Sequence, residues 1–112
     1  MRFLLLVLNK VEVLDTLLEK LMEQGVCGAT ILNSTGMVRE LAKSNEDFPI
    51  FGSLSAFINP DRKESKTIFM VLREDKVEEV KNIIRQVVGD LSKPDSAVLF
   101  TLPVLDSEGV DL

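Results

Sequence analysis

Residues able to perform chemistry are few and scattered along this chain. Histidine is absent and Cys27 is the single cysteine, so neither the commonest general base nor a cysteine beside such a base is available. The acidic neighbours Glu46 and Asp47, and the acidic residues Asp61 and Glu64, lie in polar stretches typical of solvated loops. The sequence therefore predicts a protein that is not an enzyme, with Cys27 as a partly buried, unreactive thiol.

Composition limits the partners and the compartment. The 112 residues carry a formal net charge of -5, and 46% are hydrophobic, which suits a single domain over residues 1–112. An acidic chain gains nothing from counterion release, so nucleic acid is not an expected partner. The apolar start of the chain is shorter than the roughly 20 residues of a membrane span, so we expect no membrane insertion. The lone cysteine and the missing histidine exclude the common zinc ligand sets and favour a cytoplasmic protein.

The first third of the chain predicts a strand, a helix and a second strand. Residues 3–8 form an apolar run whose length favours a strand buried on both faces. Asn9, followed by Glu12, has the pattern of a helix N-cap with its capping box, and Gly25 is a typical helix end. The helical stripe between them consists of Leu14, Leu17, Leu18, Leu21 and Met22. Residues 26–35 are predicted as the second strand.

The rest of the chain predicts a long loop and a second strand, helix and strand. Residues 37–65 lack a dominant element, apart from a short helix near their start and an apolar segment at 50–58. Residues 67–72 favour a strand, Asp75 and Glu78 repeat the capping pattern, and Gly89 ends the second helix. Residues 97–104 form the last predicted strand, and residues 105–112 form an acidic tail.

Residues 2–25 and 66–89 align without a gap, which indicates a repeat of architecture. Two βαβ units with right-handed crossovers predict an α+β, ferredoxin-like βαββαβ domain. Its sheet has four antiparallel strands, its two helices lie on one face, and the long loop joins strands 2 and 3.

The second face of that sheet needs a cover. Its strands are apolar at odd and even positions alike, yet two helices can cover only one face. Burying about eight large side chains at roughly 1.5–3 kcal/mol each would release a gross 10–25 kcal/mol, enough to offset the entropic cost of association. Self-association through the open faces is the favoured interpretation. The alternative is that residues 50–58 fold back over this face within one chain.

The order of elements and several short motifs resemble the PII signal-transduction family, the nitrogen regulatory proteins, and its PII-like relatives. The similarity consists of the βαβ-loop-βαβ order, GVCGAT at residues 25–30, Gly36 six residues after Thr30, and VLFTLPV at residues 98–104. It covers nearly the whole chain. The resemblance implies a homotrimer whose sheets pack around the three-fold axis, with adenine nucleotides bound between subunits. It also implies that the loop at residues 37–65 contacts a target protein.

The resemblance further implies which side chains line the ligand site. One subunit would contribute Gly28, Ala29 and Thr30 to the adenine side of the cleft. The neighbouring subunit would contribute Gly36, Met37 and Arg39 to the phosphate side. A glycine lets backbone amides approach an anion, and a guanidinium binds two phosphate oxygens at once. Outside this resemblance, Gly36 has the pattern of a turn residue and Arg39 that of a solvated helix face.

Several positions depart from the family pattern. Glu40 stands where the family has a glutamine that helps hold magnesium and 2-oxoglutarate, and its carboxylate would repel an anion unless a cation intervened. The family's Gly-Asp-Gly-Lys turn corresponds to residues 95–98, so a lysine and two glycines are missing; Lys93 is expected to reach the same volume from the side. The chain has no tyrosine, which excludes tyrosine uridylylation.

These observations predict a divergent PII-like regulatory protein. Its effector would be an adenine nucleotide (ATP, ADP, AMP or a cyclic nucleotide) or a related anion, and residues 37–65 would engage a partner protein. Three alternatives stay open: an ACT-like amino-acid sensor, a CutA-like trimer, and a structural oligomer without ligand. A dimer that responds to an amino acid would indicate the ACT-like sensor. A trimer that carries metal and does not respond to nucleotides would indicate the CutA-like protein.

Overall fold

Four strands form one antiparallel sheet in the order β2-β3-β1-β4. A computed structural model describes residues 1–44 and 64–112. The elements are β1 (Arg2–Leu8), α1 (Leu14–Glu23), β2 (Thr30–Ser34), α2 (Met37–Ser44), β3 (Ser65–Leu72), α3 (Val77–Val88) and β4 (Ala97–Pro103). The α+β class and the four-stranded antiparallel sheet are therefore confirmed. The short helix predicted after Gly36 is present as α2.

The hydrophobic core lies between one face of the sheet and the helices α1 and α3. Alternate residues of β1, namely Leu4, Leu6 and Leu8, are fully buried. The buried residues packed with them from the other elements are Leu17, Leu21, Ile68, Met70, Leu72, Val80, Ile84, Val88 and Ala97. The helical and strand periods read from the sequence thus meet in one core.

The helices α1 and α3 begin differently from the capping prediction. Each is preceded by a turn of 3-10 helix, at Val11–Val13 and Glu74–Lys76, and neither turn has a side-chain cap. Asn9 Oδ1 instead accepts a hydrogen bond from Ser65 Oγ at 2.6 Å. Asp75 lies inside the second 3-10 turn and pairs with Arg73 at 3.2 Å. The capping prediction was wrong because a 3-10 turn precedes each of these helices, and the two side chains pair with Ser65 and Arg73 instead.

Gly25 and Gly89 end the helices as predicted. After α1, the amide of Gly25 donates to the carbonyl of Met22 at 3.0 Å, and the amide of Val26 donates to that of Leu21 at 2.9 Å. This pair of bonds is a Schellman motif, which requires a left-handed residue, and Gly25 has a φ of +81°. Gly89 has φ 95° and ψ −150°, a conformation essentially restricted to glycine.

Five strand boundaries differ from the sequence prediction: β1 begins one residue earlier, at Arg2, β2 ends one residue earlier, at Ser34, and the other three are as follows. β2 begins only at Thr30, because the amide of Val26 closes α1 and residues 26–29 stay outside the ladder. β3 begins at Ser65, two residues earlier than predicted, and β4 ends at Pro103.

The sheet face opposite the helices is apolar and partly exposed. Strand register places its side chains in three rows across the sheet: Leu102, Phe3, Val71; then Phe100, Leu5, Phe69, Thr30; then Val98, Val7, Thr67, Leu32. We call this set the open face. Phe100 and Leu32 are each 51% exposed, and Phe3, Leu5 and Val7 are half-buried, so the prediction that the first strand is buried on both faces holds for one face only. The alternative cover, residues 50–58, lies outside the described residues.

Among the described residues, no helix combines the length and apolar character needed to cross a bilayer.

Candidate functional site

The predicted ligand residues divide between the two ends of β2. Thr30 starts the strand and pairs with Phe69, whereas Ser34 ends it and pairs with Ser65. We call these the Gly28 end and the Gly36 end of the sheet. At roughly 3.3 Å per residue the strand spans about 13 Å, and Gly36 lies beyond it. Gly28 and Gly36 of one chain therefore cannot contact the same small group.

At the Gly28 end, the connection from α1 to β2 borders a cavity of about 230 Å³. Its walls include Gly28 and Cys27 from the connection, Leu72 and Arg73 from the end of β3, and Lys76. Lys76 Nζ donates to the carbonyl of Gln24 at 3.3 Å and pairs with Glu79 at 3.1 Å. The first of these contacts ties the end of α1 to the start of α3.

Cys27 is exposed, which corrects the prediction of a partly buried thiol. Burial would have required residues 26–29 to run inside the sheet, and they do not join it. Cys27 also borders a second, apolar groove of about 200 Å³. Ala29 contributes to that groove, together with Leu18, Met22 and Ile31.

At the Gly36 end, Gly36 precedes α2 directly. Its carbonyl accepts a hydrogen bond from the amide of Glu40 at 2.9 Å, so Gly36 occupies the N-cap position of that helix. A Cβ built on Gly36 would meet nothing within 4 Å. The exposed Met37 and the half-buried Arg39 lie in the first turn of α2, followed by the exposed Glu40. Four predicted ligand residues thus belong to one helix start.

Lys93 lies at the Gly36 end but at the opposite edge of the sheet. It belongs to the connection before β4, and three strand spacings, about 14 Å in total, separate β4 from β2. Lys93 lines a cavity of about 420 Å³, which it shares with Lys10, Glu12 and Asp95. This cavity mixes both signs of charge, and within one chain Lys93 does not join the other predicted residues.

Asp90 lies in the wall of the same cavity. Its Oδ1 accepts hydrogen bonds from the Ser92 hydroxyl at 2.7 Å and from the Ser92 amide at 2.9 Å. The hydroxyl bond first, and then the amide bond, lowers the pKa of the Asp90 carboxyl below its ordinary value. The carboxylate therefore stays charged in mild acid and keeps a negative charge near Lys93.

Four residues near Gly28 were missed by sequence reasoning: Arg73, Lys76, Asp111 and Leu112. All four line the same cavity as Gly28. No local pattern could have identified them, because Asp111 lies more than eighty positions after Gly28. Among the described residues, no group of histidine, cysteine and acidic side chains is arranged to hold a metal ion.

Comparison with known proteins gives a fold and no function. No protein-family model matches the chain, and no curated protein matches it. The chain is similar to the crystal structure of a functionally unknown protein from Pediococcus pentosaceus ATCC 25745, at 18% sequence identity and a TM-score of 0.61. The match covers 96% of this chain and 94% of that chain. At this identity the likeness establishes the shared fold alone.

Proposed function

We propose that this chain is a PII-like regulatory protein. In this proposal it forms a homotrimer through the open face, binds an adenine nucleotide or a related small anion between subunits, and controls a partner protein through residues 37–65. The observation that carries the proposal is the separation of the predicted ligand residues. Because Gly28 and Gly36 lie at opposite ends of β2, a ligand that touches both groups needs two subunits.

The ferredoxin-like assignment is part of the same proposal. The strand order places β3 between β1 and β2, and β1 between β3 and β4. The two strand-helix-strand units are therefore interleaved, as in a split βαβ arrangement. The similar succession of strand, 3-10 turn and α-helix in both units supports this assignment.

The open face supports self-association. Nine of its eleven side chains are large and apolar. Four of these nine are exposed: Leu32, Val98, Phe100 and Leu102. Apolar patches of this kind on isolated chains mark interaction surfaces. A cyclic assembly would bury the same face on each copy, which leaves no open end for further growth.

The start of α2 supports the binding of an anion. The first amides of a helix have no partner within the helix, and the helix dipole places partial positive charge there. A phosphate at this position would meet the amides that follow Gly36, and Arg39 lies in the same turn. The negative charge of Glu40 stabilises the helix start but repels an anion. An effector with few negative charges is therefore favoured, or a cation that lies between Glu40 and the effector.

The adenine side of the proposed cleft is supplied by the Gly28 end of a neighbouring subunit. Gly28 leaves space for close approach, because a Cβ built there would meet nothing within 4 Å. Thr30 lies on the open face, in one row with Phe69. If the open faces pack together, Thr30 lies at the border of the subunit interface.

The link to a partner protein follows from the position of α2. The proposed phosphate site is the first turn of the helix that begins residues 37–65. A bound effector would therefore act directly on the start of the segment that contacts the partner in this proposal.

Thermal unfolding in the presence of candidate effectors tests this function. A ligand that binds only the folded protein raises the melting temperature. We expect a rise with one of the adenine or cyclic nucleotides in a protein whose mass is that of a trimer. A dimer stabilised by an amino acid would instead indicate an ACT-like sensor, and a trimer stabilised only by metal a CutA-like protein. An oligomer stabilised by none of them would indicate a structural role.

A further inference from the structure

The C-terminal tail of the same chain forms part of the wall of the cavity at the Gly28 end. After β4, the amide of Val104 donates to the carbonyl of Met1 at 3.3 Å, and Ser107 Oγ contacts Met1 Sδ at 3.6 Å. The tail thus turns across the end of the sheet, past the first residue of the chain. Its last two residues, Asp111 and Leu112, line the cavity.

The walls of this cavity combine an apolar surface with two cations. Val26, Met70 and Leu72 provide apolar surface, and Arg73 and Lys76 provide the positive charge. Asp111 and Leu112 bring the complementary pair of groups, a carboxylate and a branched apolar side chain. An acidic, apolar segment therefore lies against a basic, apolar cavity.

The tail is held loosely in this position. Leu112 remains 54% exposed and Val110 42% exposed. Within the two described ranges, no hydrogen bond or ion pair joins Asp111 or Leu112 to the cavity walls. Gly109 has a φ of +79°, so the backbone turns there before the last three residues. An external ligand with the same chemistry could displace these residues at small cost.

We propose that this cavity binds a small carboxylic acid with a branched apolar group, and that Asp111 and Leu112 are its internal competitor. The cavity has a volume of about 230 Å³ with Asp111 and Leu112 in its wall, and a ligand that takes the place of these two groups is about the size of an amino acid. The site lies within one chain, so it depends neither on the trimer nor on a nucleotide.

Arg73 is the cation that can turn to such a ligand. Its present partner is Asp75, at 3.2 Å, and both side chains are about two-thirds exposed. Exposed pairs of this kind contribute little stability, so exchanging Asp75 for a ligand carboxylate costs little. A guanidinium also binds a carboxylate through two parallel hydrogen bonds. Lys76, by contrast, is engaged by Gln24 and Glu79.

The reactivity of Cys27 can report whether the cavity is occupied, because Cys27 lines the cavity and is the only cysteine of the chain. The experiment follows the rate at which a neutral maleimide modifies Cys27 in the full-length protein. N-acetyl-leucine should slow this reaction in a saturable way. N-acetyl-leucinamide, which lacks the carboxylate, and N-acetylglycine, which lacks the branched group, should not.

Three variants distinguish the effect of the tail on ligand binding from that of the cavity wall. Leu112→Ser should loosen the tail and raise the apparent affinity for N-acetyl-leucine several-fold, because a competitor reduces affinity by the fraction of sites it occupies. Leu105→Ser changes a tail leucine that is 96% exposed and should leave the affinity unchanged. Arg73→Gln should remove the preference for the acid over the amide.

Absence of protection by N-acetyl-leucine in both the natural protein and Leu112→Ser would overturn the proposal. Protection of Cys27 by an adenine nucleotide but not by the acid would also overturn it, since the cavity would then belong to the nucleotide cleft. Failure of the nucleotide to raise the melting temperature would leave this cavity proposal intact, so the two proposals fail separately.

Discussion

Phe3 and Phe69 stack on the open face, with ring centroids 5.5 Å apart and ring planes inclined by 25°. They come from β1 and β3, the two central strands, and the stack joins the first row of the open face to the second. Both rings are only half-buried in the single chain. A stacked aromatic pair within an apolar surface is typical of a buried interface.

A charge on the open face should prevent assembly. In the variant Phe100→Glu, a carboxylate replaces a ring that is 51% exposed and lies in one row with Leu5 and Phe69. Burying that charge without a partner would cost several kcal/mol, so we expect a monomer by light scattering. Leu105→Glu makes the same kind of change outside the open face and should leave the mass unaltered. A trimeric Phe100→Glu protein would mean that subunits associate through another surface.

Substitution of Gly36 should abolish binding at the proposed phosphate site. In Gly36→Val, a branched side chain stands beside the first amides of α2 and blocks the approach of an anion. Because nothing lies within 4 Å of its Cβ, the fold should tolerate the change. We expect the dissociation constant of the effector to rise at least about tenfold, which is roughly 1.4 kcal/mol. Calorimetric titration measures this rise.

Thr35→Val is the control for Gly36→Val, since it places the same valine side chain one residue earlier in the chain. It should keep the affinity of the natural protein. Equal affinities for all three proteins would remove Gly36 from the site.

Gly89 should be the glycine that stability depends on most. Its φ of 95° and ψ of −150° strain any other residue, so Gly89→Ala should lower the free energy of unfolding by about 1–3 kcal/mol. Gly28 has neither a positive φ nor a close neighbour, so Gly28→Ala should change stability by less than about 0.5 kcal/mol. Urea denaturation compares the two. Similar losses for both would show that the conformation of Gly89 is not the cause.

The pKa of Asp90 should depend on Ser92. Two hydrogen bonds from Ser92 lower it, and Ser92→Ala removes the larger contribution, so the pKa should rise toward the ordinary aspartate value. Carbon-13 NMR of the carboxyl group measures the titration. Because the pKa is lower in the folded state, the stabilisation is present above the unfolded pKa and disappears as pH falls through the folded one. An unchanged pKa in Ser92→Ala would contradict this assignment.

Much of the fold was predictable because its signals are local. The stripe in α1, the alternation in β1 and the glycines that end the helices depend on residues a few positions apart. Local sequence predicted helix caps at Asn9 and Asp75, and neither residue caps a helix. Asn9 contacts Ser65, fifty-six positions away, and the two are close only in the folded sheet. The predicted start of β2 was wrong for a related reason, because the amide of Val26 donates to the carbonyl of Leu21 and closes α1.

The candidate site was predictable only in part. Gly36 and Arg39 lie together at one helix start because they are neighbours in sequence. The family resemblance predicts Lys93 beside them, yet the strand order places Lys93 at the other edge of the sheet. The approach of Asp111 to the cavity beside Gly28 depends on where the tail crosses the sheet, which no short sequence pattern encodes.

The mass of the natural protein in solution tests the central claim most directly. Light scattering at micromolar concentration should give three times the 12.5 kDa mass of the chain, because the proposal buries the open face by association of three subunits. A mass of one chain would contradict both the trimer and the ligand cleft between subunits. The open face would then have to be covered by another part of the same chain.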